Sequence, residues 1–383
     1  MTTLSNARVS ELFEQYFDIA PNGCVKAPGR VNLIGEHTDY NGGFVLPAAI
    51  NYHTYIAFAP RTDRRLRLVA HNIDKQVAFV DLDAQQEHDQ SAPWNNYIRG
   101  VVQELRKAGF QLAGGDLYIA GDLQSGAGLS SSASLEMALI RALTSLSGES
   151  VEPTQAALIG QAAENHFVGC NCGIMDQLIS ARGQANAALL IDCQDLGVRT
   201  VPVPADWEIL IVHSGVKRGL VDSEYNQRRQ QCEQVARFFN QASLRGVSLD
   251  QLLSAEQQLD ESSFRRARHV LTENQRTLAA ADALASGNLA GLVKVMAESH
   301  ASMRDDFNIT TPAIDTLVDI LQKAGDGKAG ARMTGGGFGG CVVAVAPATV
   351  IPQLMKAVEA DYQQQTGCIP TLIHAIASPG AFS

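Results

Sequence analysis

The sequence predicts an α+β chain of two domains, and three observations carry that reading. At 383 residues the chain is longer than one ordinary core fills, so two domains are expected. The first half is rich in strand-like runs, whereas long helical patterns dominate the second. Between them "GVRTVPVPADWE" supplies turn and proline signals near residues 195–205, which divides the chain into domains 1–198 and 199–383.

The opening "MTTLSNARVSELFEQYF" lacks a basic segment followed by an apolar one, so it reads as an amphipathic helix and not as a signal peptide. Strands follow at "YHTYIAFA" (52–59), "LRLVA" (66–70), "QVAFVDL" (76–82) and "DLYIAG" (116–121), each alternating or apolar over strand length. Among them "NNYIRGVVQELRKAG" (95–109) has helical spacing and stops at Gly109. Helices are expected over 134–146, 154–169 and briefly from Ile174, and "AALLID" (187–192) reads as a buried strand. After the strand "WEILIVHS" (207–214), helical patterns fill 222–303 and 311–324. A glycine-rich loop, a strand and the helix "VIPQLMKAVEADYQQQTG" (350–367) complete the chain.

Composition narrows the function. Forty acidic residues against thirty basic ones give a net charge of -10, which argues against a nucleic-acid partner while allowing a local basic pocket. No apolar run reaches the roughly 20 residues of a membrane span, so no membrane partner is expected. Seven scattered cysteines point to reduced thiols and the cytoplasm. Cys170-Asn171-Cys172 lacks a second Cys/His pair at zinc spacing and reads as structural.

Three loops carry the chemistry. In "QSGAGLSSSAS" (124–134), small residues stand where a strand hands over to a helix. Glycine lets backbone approach a ligand, and the helix start presents free N–H groups and the positive end of its dipole, together an anion seat. Ser130, Ser131 and Ser132 can cap the helix, bind a phosphate oxygen or reach a Mg²⁺. A plain turn with serine caps is the competing reading. The spacing is neither that of the P-loop nor G-x-G-x-x-G. "MTGGGFGGC" (333–341) holds five glycines in nine residues. Each costs roughly 0.5–1 kcal/mol relative to alanine, so close approach to a ligand, or to the first loop across a cleft, explains it better than a turn. The third stretch, "KAPGRVNLIGEHTDYNGGFVLPAAI" (26–50), gathers Arg30, Glu36, His37 and Asp39 between glycine bends. Read as a loop, it presents several hydrogen-bonding groups to one polar ligand, and a sugar suits it.

"PGRVNLIGEHTDYNGGFVLP", "GAGLSSSAS" and "MTGGGFGGC", in this order, resemble the three signature motifs of the galactose, homoserine, mevalonate and phosphomevalonate (GHMP) kinase superfamily. "GEHTDY", "GCNCGIMDQL" (169–178) and "SEYNQRRQQC" (223–232) resemble its galactokinase branch, and the likeness runs from about residue 20 to 375. It implies a two-domain GHMP kinase fold. The N-terminal domain would carry a mixed sheet, the C-terminal domain would be helix-rich α+β, and the active site would lie in the cleft between them. The implied reaction moves the γ-phosphoryl of ATP to the C1 hydroxyl of α-D-galactose, with Mg²⁺, in a monomer.

By the same resemblance Asp176 falls on the catalytic base and Arg30 on the transition-state stabiliser. Glu36, His37, Thr38, Asp39, Gly173 and Tyr225 fall on the sugar positions. Gly126, Ala127, Gly128, Leu129, Ser130, Ser131 and Ser132 fall on the phosphate loop, and Ser132 and Glu164 on the Mg²⁺ positions. Taken alone, Asp176 reads as a first-turn charge, Arg30 as a surface ion pair and Glu164 as a solvated helix face. Trp94 and Asn95 are candidates for the adenine neighbourhood, with a core or surface role for Trp94 equally open. The competing readings are an N-acetylgalactosamine or other GHMP small-molecule kinase, and a galactose-sensing protein that retains the fold.

Overall fold

The computed structural model describes residues 4–123, 128–216 and 221–383. In chain order the first elements are α1 (Asn6–Phe17), β1 (Gly23–Asn32), β2 (Phe44–Val45), β3 (Pro47–Pro60), β4 (Arg65–Ala70), β5 (Gln76–Asp81), α2 (Asn95–Lys107) and β6 (Gly115–Gly121). There follow α3 (Ser131–Leu146), α4 (Pro153–Ala163), α5 (Met175–Arg182), β7 (Ala187–Asp192), β8 (Gly197–Pro202) and β9 (Trp207–His213). The remainder is α6 (Val221–Phe238), α7 (Leu249–Ser254), α8 (Glu261–Ala285), α9 (Leu289–Ser302), α10 (Pro312–Gly325), β10 (Gly330–Thr334), β11 (Cys341–Pro347), α11 (Ile351–Thr366) and β12 (Thr371–Ala375).

A five-stranded mixed sheet of order β1-β3-β6-β4-β5 forms the first layer, with β4 and β6 as its parallel pair. One face packs on α2, α3, α4 and α5 through residues such as Ile56, Leu117, Ile98, Met137 and Leu178. The other face is covered by α1, whose Val9 and Phe13 meet Tyr55 and Tyr118. An antiparallel sheet of order β10-β11-β9-β12 supports the second half, with Phe264, Leu317, Leu354 and Phe307 on one side. A third core joins the halves: Leu33, Ile34 and Leu46 from the first motif pack with Ile209, Ile211, Val343 and Leu284. Burying one such side chain stabilises by about 1.5–3 kcal/mol, so the two halves share apolar free energy at the level of the first motif. After β12 the chain returns to the N-terminal sheet, where Ile50 bridges Ala377 and Ser378 N donates to Ala49 O at 2.9 Å. Among the described residues no helix is long and apolar enough to cross a membrane.

Four stretches differ from the sequence reading. Residues 26–32 are the end of strand β1 and not loop; β1 tolerates Pro28 because it is an edge strand and its register shifts between Pro28 and Arg30. Residues 197–202, read as turn, form β8 against β7. The helical tract 222–303 is four helices, broken where Ser248, Asp260 and Asn288 cap new starts. Helix 154–169 is α4 followed by a π-turn over Glu164–Val168.

Candidate active site

The register shift in β1 sits beside Arg30, and such a shift re-aims a side chain. Arg30 Nε donates to Asp176 Oδ1 at 2.7 Å and Nη2 to Oδ2 at 2.8 Å. Its Nη1 donates to Gly128 O at 2.7 Å, and its backbone N to Leu129 O at 3.0 Å. One guanidinium thus joins β1, the loop before α3 and the first turn of α5. Burial works against its charge, but Asp176, helped by Glu36 and Asp39, holds its pKa above the ordinary value. Ser130 stands at the N-cap of α3 with φ 56°, yet its hydroxyl does not cap; it donates to Asp176 Oδ2 at 2.5 Å. The carboxylate therefore lies where the start of α3 meets the start of α5.

Ser131 and Ser132 are half-buried in the first turn of α3. Gly126 and Ala127, expected on the phosphate loop, lie outside the described residues. The Ser132 hydroxyl bonds Glu164, which opens the π-turn after α4; such turns are frequent at functional sites. Burial and then Asp176 push the Glu164 carboxyl up to about 6, against hydrogen bonds from Ser132, Cys172 and Gln177. A hydroxyl and a buried carboxylate short of a compensating cation are hard oxygen donors that suit Mg²⁺.

Gln177 and Glu136 stand behind this site, and the sequence reading missed both. Gln177 Nε2 donates to Glu164 Oε2 at 2.7 Å and to Glu136 Oε2 at 3.0 Å. Glu136 is fully buried; burial and then Glu164 raise its pKa well above the ordinary value. The available signal was spacing: Glu136 lies one helical turn beyond Ser132, and Gln177 follows Asp176.

The loop that carries Glu36 is braced from the second half. Glu36 Oε1 accepts from Gly335 N at 3.0 Å, Thr334 Oγ1 at 3.1 Å and Arg332 Nη1 at 3.3 Å. The third motif thus approaches the first loop, and Gly335, at φ 90°, takes a backbone shape that side chains resist. His37 also adopts a left-handed backbone, φ 62°, and its ring packs 4.6 Å from Phe307 and 5.1 Å from Tyr225, centroid to centroid. Its Nδ1 lies 2.8 Å from Tyr40 Oη, and burial depresses its pKa to about 3, which keeps it neutral. Thr38, expected on the sugar, is fully buried with its hydroxyl 2.7 Å from Phe44 O and 2.9 Å from Gly35 O; that hydroxyl serves the loop. Tyr225 reaches over from α6, and its ring lies 5.7 Å from that of Tyr40.

Asp39 faces Gly173. A Cβ on Gly173 would lie 1.9 Å from Asp39 Oδ2, so Gly173→Ala should displace this carboxylate. The expected result is a galactose KM raised by about tenfold or more, the scale of one lost charge-assisted hydrogen bond, with the KM for ATP little changed. Steady-state kinetics in both substrates checks this.

Burial, with Asp176 and Glu36 adding repulsion, pushes the Asp39 carboxyl up to about 6. Between 3.8 and about 6 the folded chain keeps a proton that the unfolded chain has released. The stability this group contributes is therefore full below that window and lost as pH rises through it. With Asp39 on the sugar, as the resemblance implies, sugar affinity should run the other way, because the ionised group is the better acceptor. We expect the galactose KM to rise as pH falls below about 6 and Asp39→Asn to flatten that limb in a pH series.

Of the two candidates for the adenine neighbourhood, Trp94 Nε1 donates to Gln76 Oε1 at 3.0 Å and Asn95 Nδ2 to Asp89 Oδ2 at 3.3 Å. Cys172 Sγ lies 3.6 Å from Glu164 Oε2. Among the described residues no three His, Cys, Asp or Glu side chains form a metal cluster.

This architecture recurs in solved structures. Mevalonate kinase from Methanococcus jannaschii is 17% identical and matches with a TM-score of 0.64 over 92% of this chain and 98% of its own. L. major mevalonate kinase is 19% identical, with a TM-score of 0.63 over 94% and 97%. Residues 96–184 and 280–364 match the GHMP kinase N-terminal and C-terminal domains, so the fold is that of a GHMP kinase. Lactococcus lactis galactokinase, solved in complex with galactose, is 34% identical with a TM-score of 0.92 over 98% of both chains. Residues 11–60 match the galactokinase galactose-binding signature. The chain belongs to the galactokinase family and is an ATP-dependent sugar kinase.

Proposed function

We propose that the chain transfers the γ-phosphoryl group of ATP to the C1 hydroxyl of α-D-galactose, giving galactose 1-phosphate and ADP as the first step of galactose breakdown. The observation that carries the mechanism is the two-bond Arg30–Asp176 pair, joined by Ser130 to the start of α3. Asp176 accepts the C1 hydroxyl proton as the new P–O bond forms. Arg30 fixes the orientation of that carboxylate and neutralises developing phosphoryl charge. A loose transition state needs little activation of the nucleophile, so orientation matters at least as much as basicity.

Glu36, Asp39 and Tyr225 contact the sugar hydroxyls, with neutral His37 and Gly173 shaping the pocket. The loop from Gly126 to Ser132 and the first turn of α3 hold the ATP phosphates. Ser132 and Glu164 would hold Mg²⁺, which when bound neutralises phosphate charge. The cleft belongs to both halves, 1–198 and 199–383. We place the protein in the cytoplasm as a monomer; the unbridged thiols of Cys24, Cys172, Cys193, Cys232 and Cys368 support a reducing compartment.

The test is ATP consumption with Mg²⁺ across galactose, glucose, N-acetylgalactosamine and mevalonate, with the phosphorylated carbon located by NMR. Turnover of galactose with phosphate on C1 is expected. Preference for N-acetylgalactosamine would replace the sugar assignment, and galactose binding without turnover would overturn the mechanism.

A further inference from the structure

Glu36 is held at every backbone and side-chain atom that matters except one. Its N donates to Glu273 Oε1 at 3.4 Å and its carbonyl O lies 3.1 Å from His269 Nε2. A carbonyl only accepts, so Nε2 of His269 carries the proton and Nδ1 accepts from Ser302 Oγ at 2.9 Å. Two N–H donors, from Arg332 and Gly335, converge on Oε1, and the Thr334 hydroxyl lies 3.1 Å from it while sharing its one proton with Asn32 O at 2.9 Å. No described residue donates to Oε2, and it is not among the buried atoms without a partner.

The centre of this arrangement is Arg332, which has 0% exposure. Its Nη1 donates to Leu33 O at 3.1 Å and Asn32 O at 3.4 Å besides Glu36, and its Nε donates to Ser299 Oγ at 3.1 Å. Glu273, equally buried, lies 4.0 Å from Nη2. Glu273 in turn accepts from Gly35 N at 3.1 Å, Ser299 Oγ at 2.6 Å and Arg276 Nε at 2.7 Å. Burial opposes its charge, but Arg276, His269 and Arg332 bring its pKa down to about 2. Apart from Met303, whose Sδ lies 3.2 Å from Arg332 Nη2, the partners of Arg332 and Glu273 lie in the first-motif chain at 32–36 or on the helices α8 and α9 behind it.

We infer that Arg332 and Glu273 are positioning residues for sugar recognition: they lock Glu36 so that one carboxylate oxygen is spent inside the protein and the other faces the sugar. A buried ion pair is weak evidence for stability, since apolar residues often serve as well. Here Arg332 meets the Glu36 carboxylate directly, and both charged groups hold the backbone of the first motif between Asn32 and Glu36. Lysine cannot replace Arg332, because a single ammonium does not span two carbonyls, a carboxylate and a hydroxyl in one plane.

This inference rests on the reading that Glu36 contacts the sugar, and a double-mutant cycle separates the two. Galactose KM, ATP KM and kcat are measured for E36Q, R332K and R332K/E36Q, with galactose affinity also measured by calorimetry. We expect R332K and E36Q each to raise galactose KM by about ten- to a hundredfold, the scale of a charge-assisted hydrogen bond. The ATP KM should barely move, and the double variant should be little worse than E36Q alone. An unchanged galactose KM in E36Q would remove Glu36 from the sugar and the inference with it. A normal E36Q effect combined with multiplicative losses, or with ATP KM and kcat falling in step, would make Arg332 merely structural and sink the inference alone. If R332K fails to fold, E273Q enters the same cycle with the same expected pattern.

Discussion

Replacing Asp176 by Asn is expected to lower kcat by about 10²–10⁴-fold, the range attributed to a positioned general base, while galactose affinity stays nearly unchanged. The amide matches the carboxylate in shape, so the sugar pocket and α5 keep their geometry. It cannot take up the C1 proton, and its NH₂ would oppose either Arg30 Nη2 or Nε, each of which now donates to the carboxylate at 2.8 and 2.7 Å. Asp176→Ala goes further, leaving the buried Arg30 with only Gly128 O and stripping Ser130 of its acceptor. That variant should lose about 1–3 kcal/mol of stability through unsatisfied polar groups yet still fold. ADP release, galactose calorimetry and thermal melting separate these effects. Near-normal turnover in Asp176→Asn would remove the base from the mechanism.

The three loops were legible because their residues are contiguous and their chemistry is local: glycines, serines at a helix start, and charges between bends. What supports them was not. Arg332 meets Glu36 across 296 positions, and Glu273 reads in the sequence as one more solvated acid on a helix, since acidic residues are rarely buried. A weak signal did exist in "GARMT", where an arginine interrupts a strand that is otherwise small and apolar. The strand β1 was hidden by Pro28 and Gly29, which usually mark a turn; its position at the sheet edge and its register shift absorb both. The serines were open to three roles in the sequence, which carries no sign that Ser130 turns to Asp176 and Ser132 to Glu164.

Arg30→Lys tests whether charge or the planar fork matters. Lysine keeps the positive charge close to Asp176 but offers one nitrogen where arginine uses three, bonding Oδ1, Oδ2 and Gly128 O at once. If neutralising charge were sufficient, turnover would fall little. The fork also fixes the rotation of the carboxylate and ties the loop before α3 to β1, so its loss should loosen base and phosphate seat together. We therefore expect kcat to fall by about 10²–10³-fold, as for removal of one preorganised donor at a developing charge, with a smaller change in galactose KM. The ATP KM should rise as well, because Gly128 loses its anchor, and this separates Arg30→Lys from Asp176→Asn, where the ATP KM should hold. Guanidinium added to Arg30→Ala should restore part of the rate by occupying the emptied fork. Full activity in Arg30→Lys would assign Arg30 a purely electrostatic part and leave the orientation of Asp176 to Ser130.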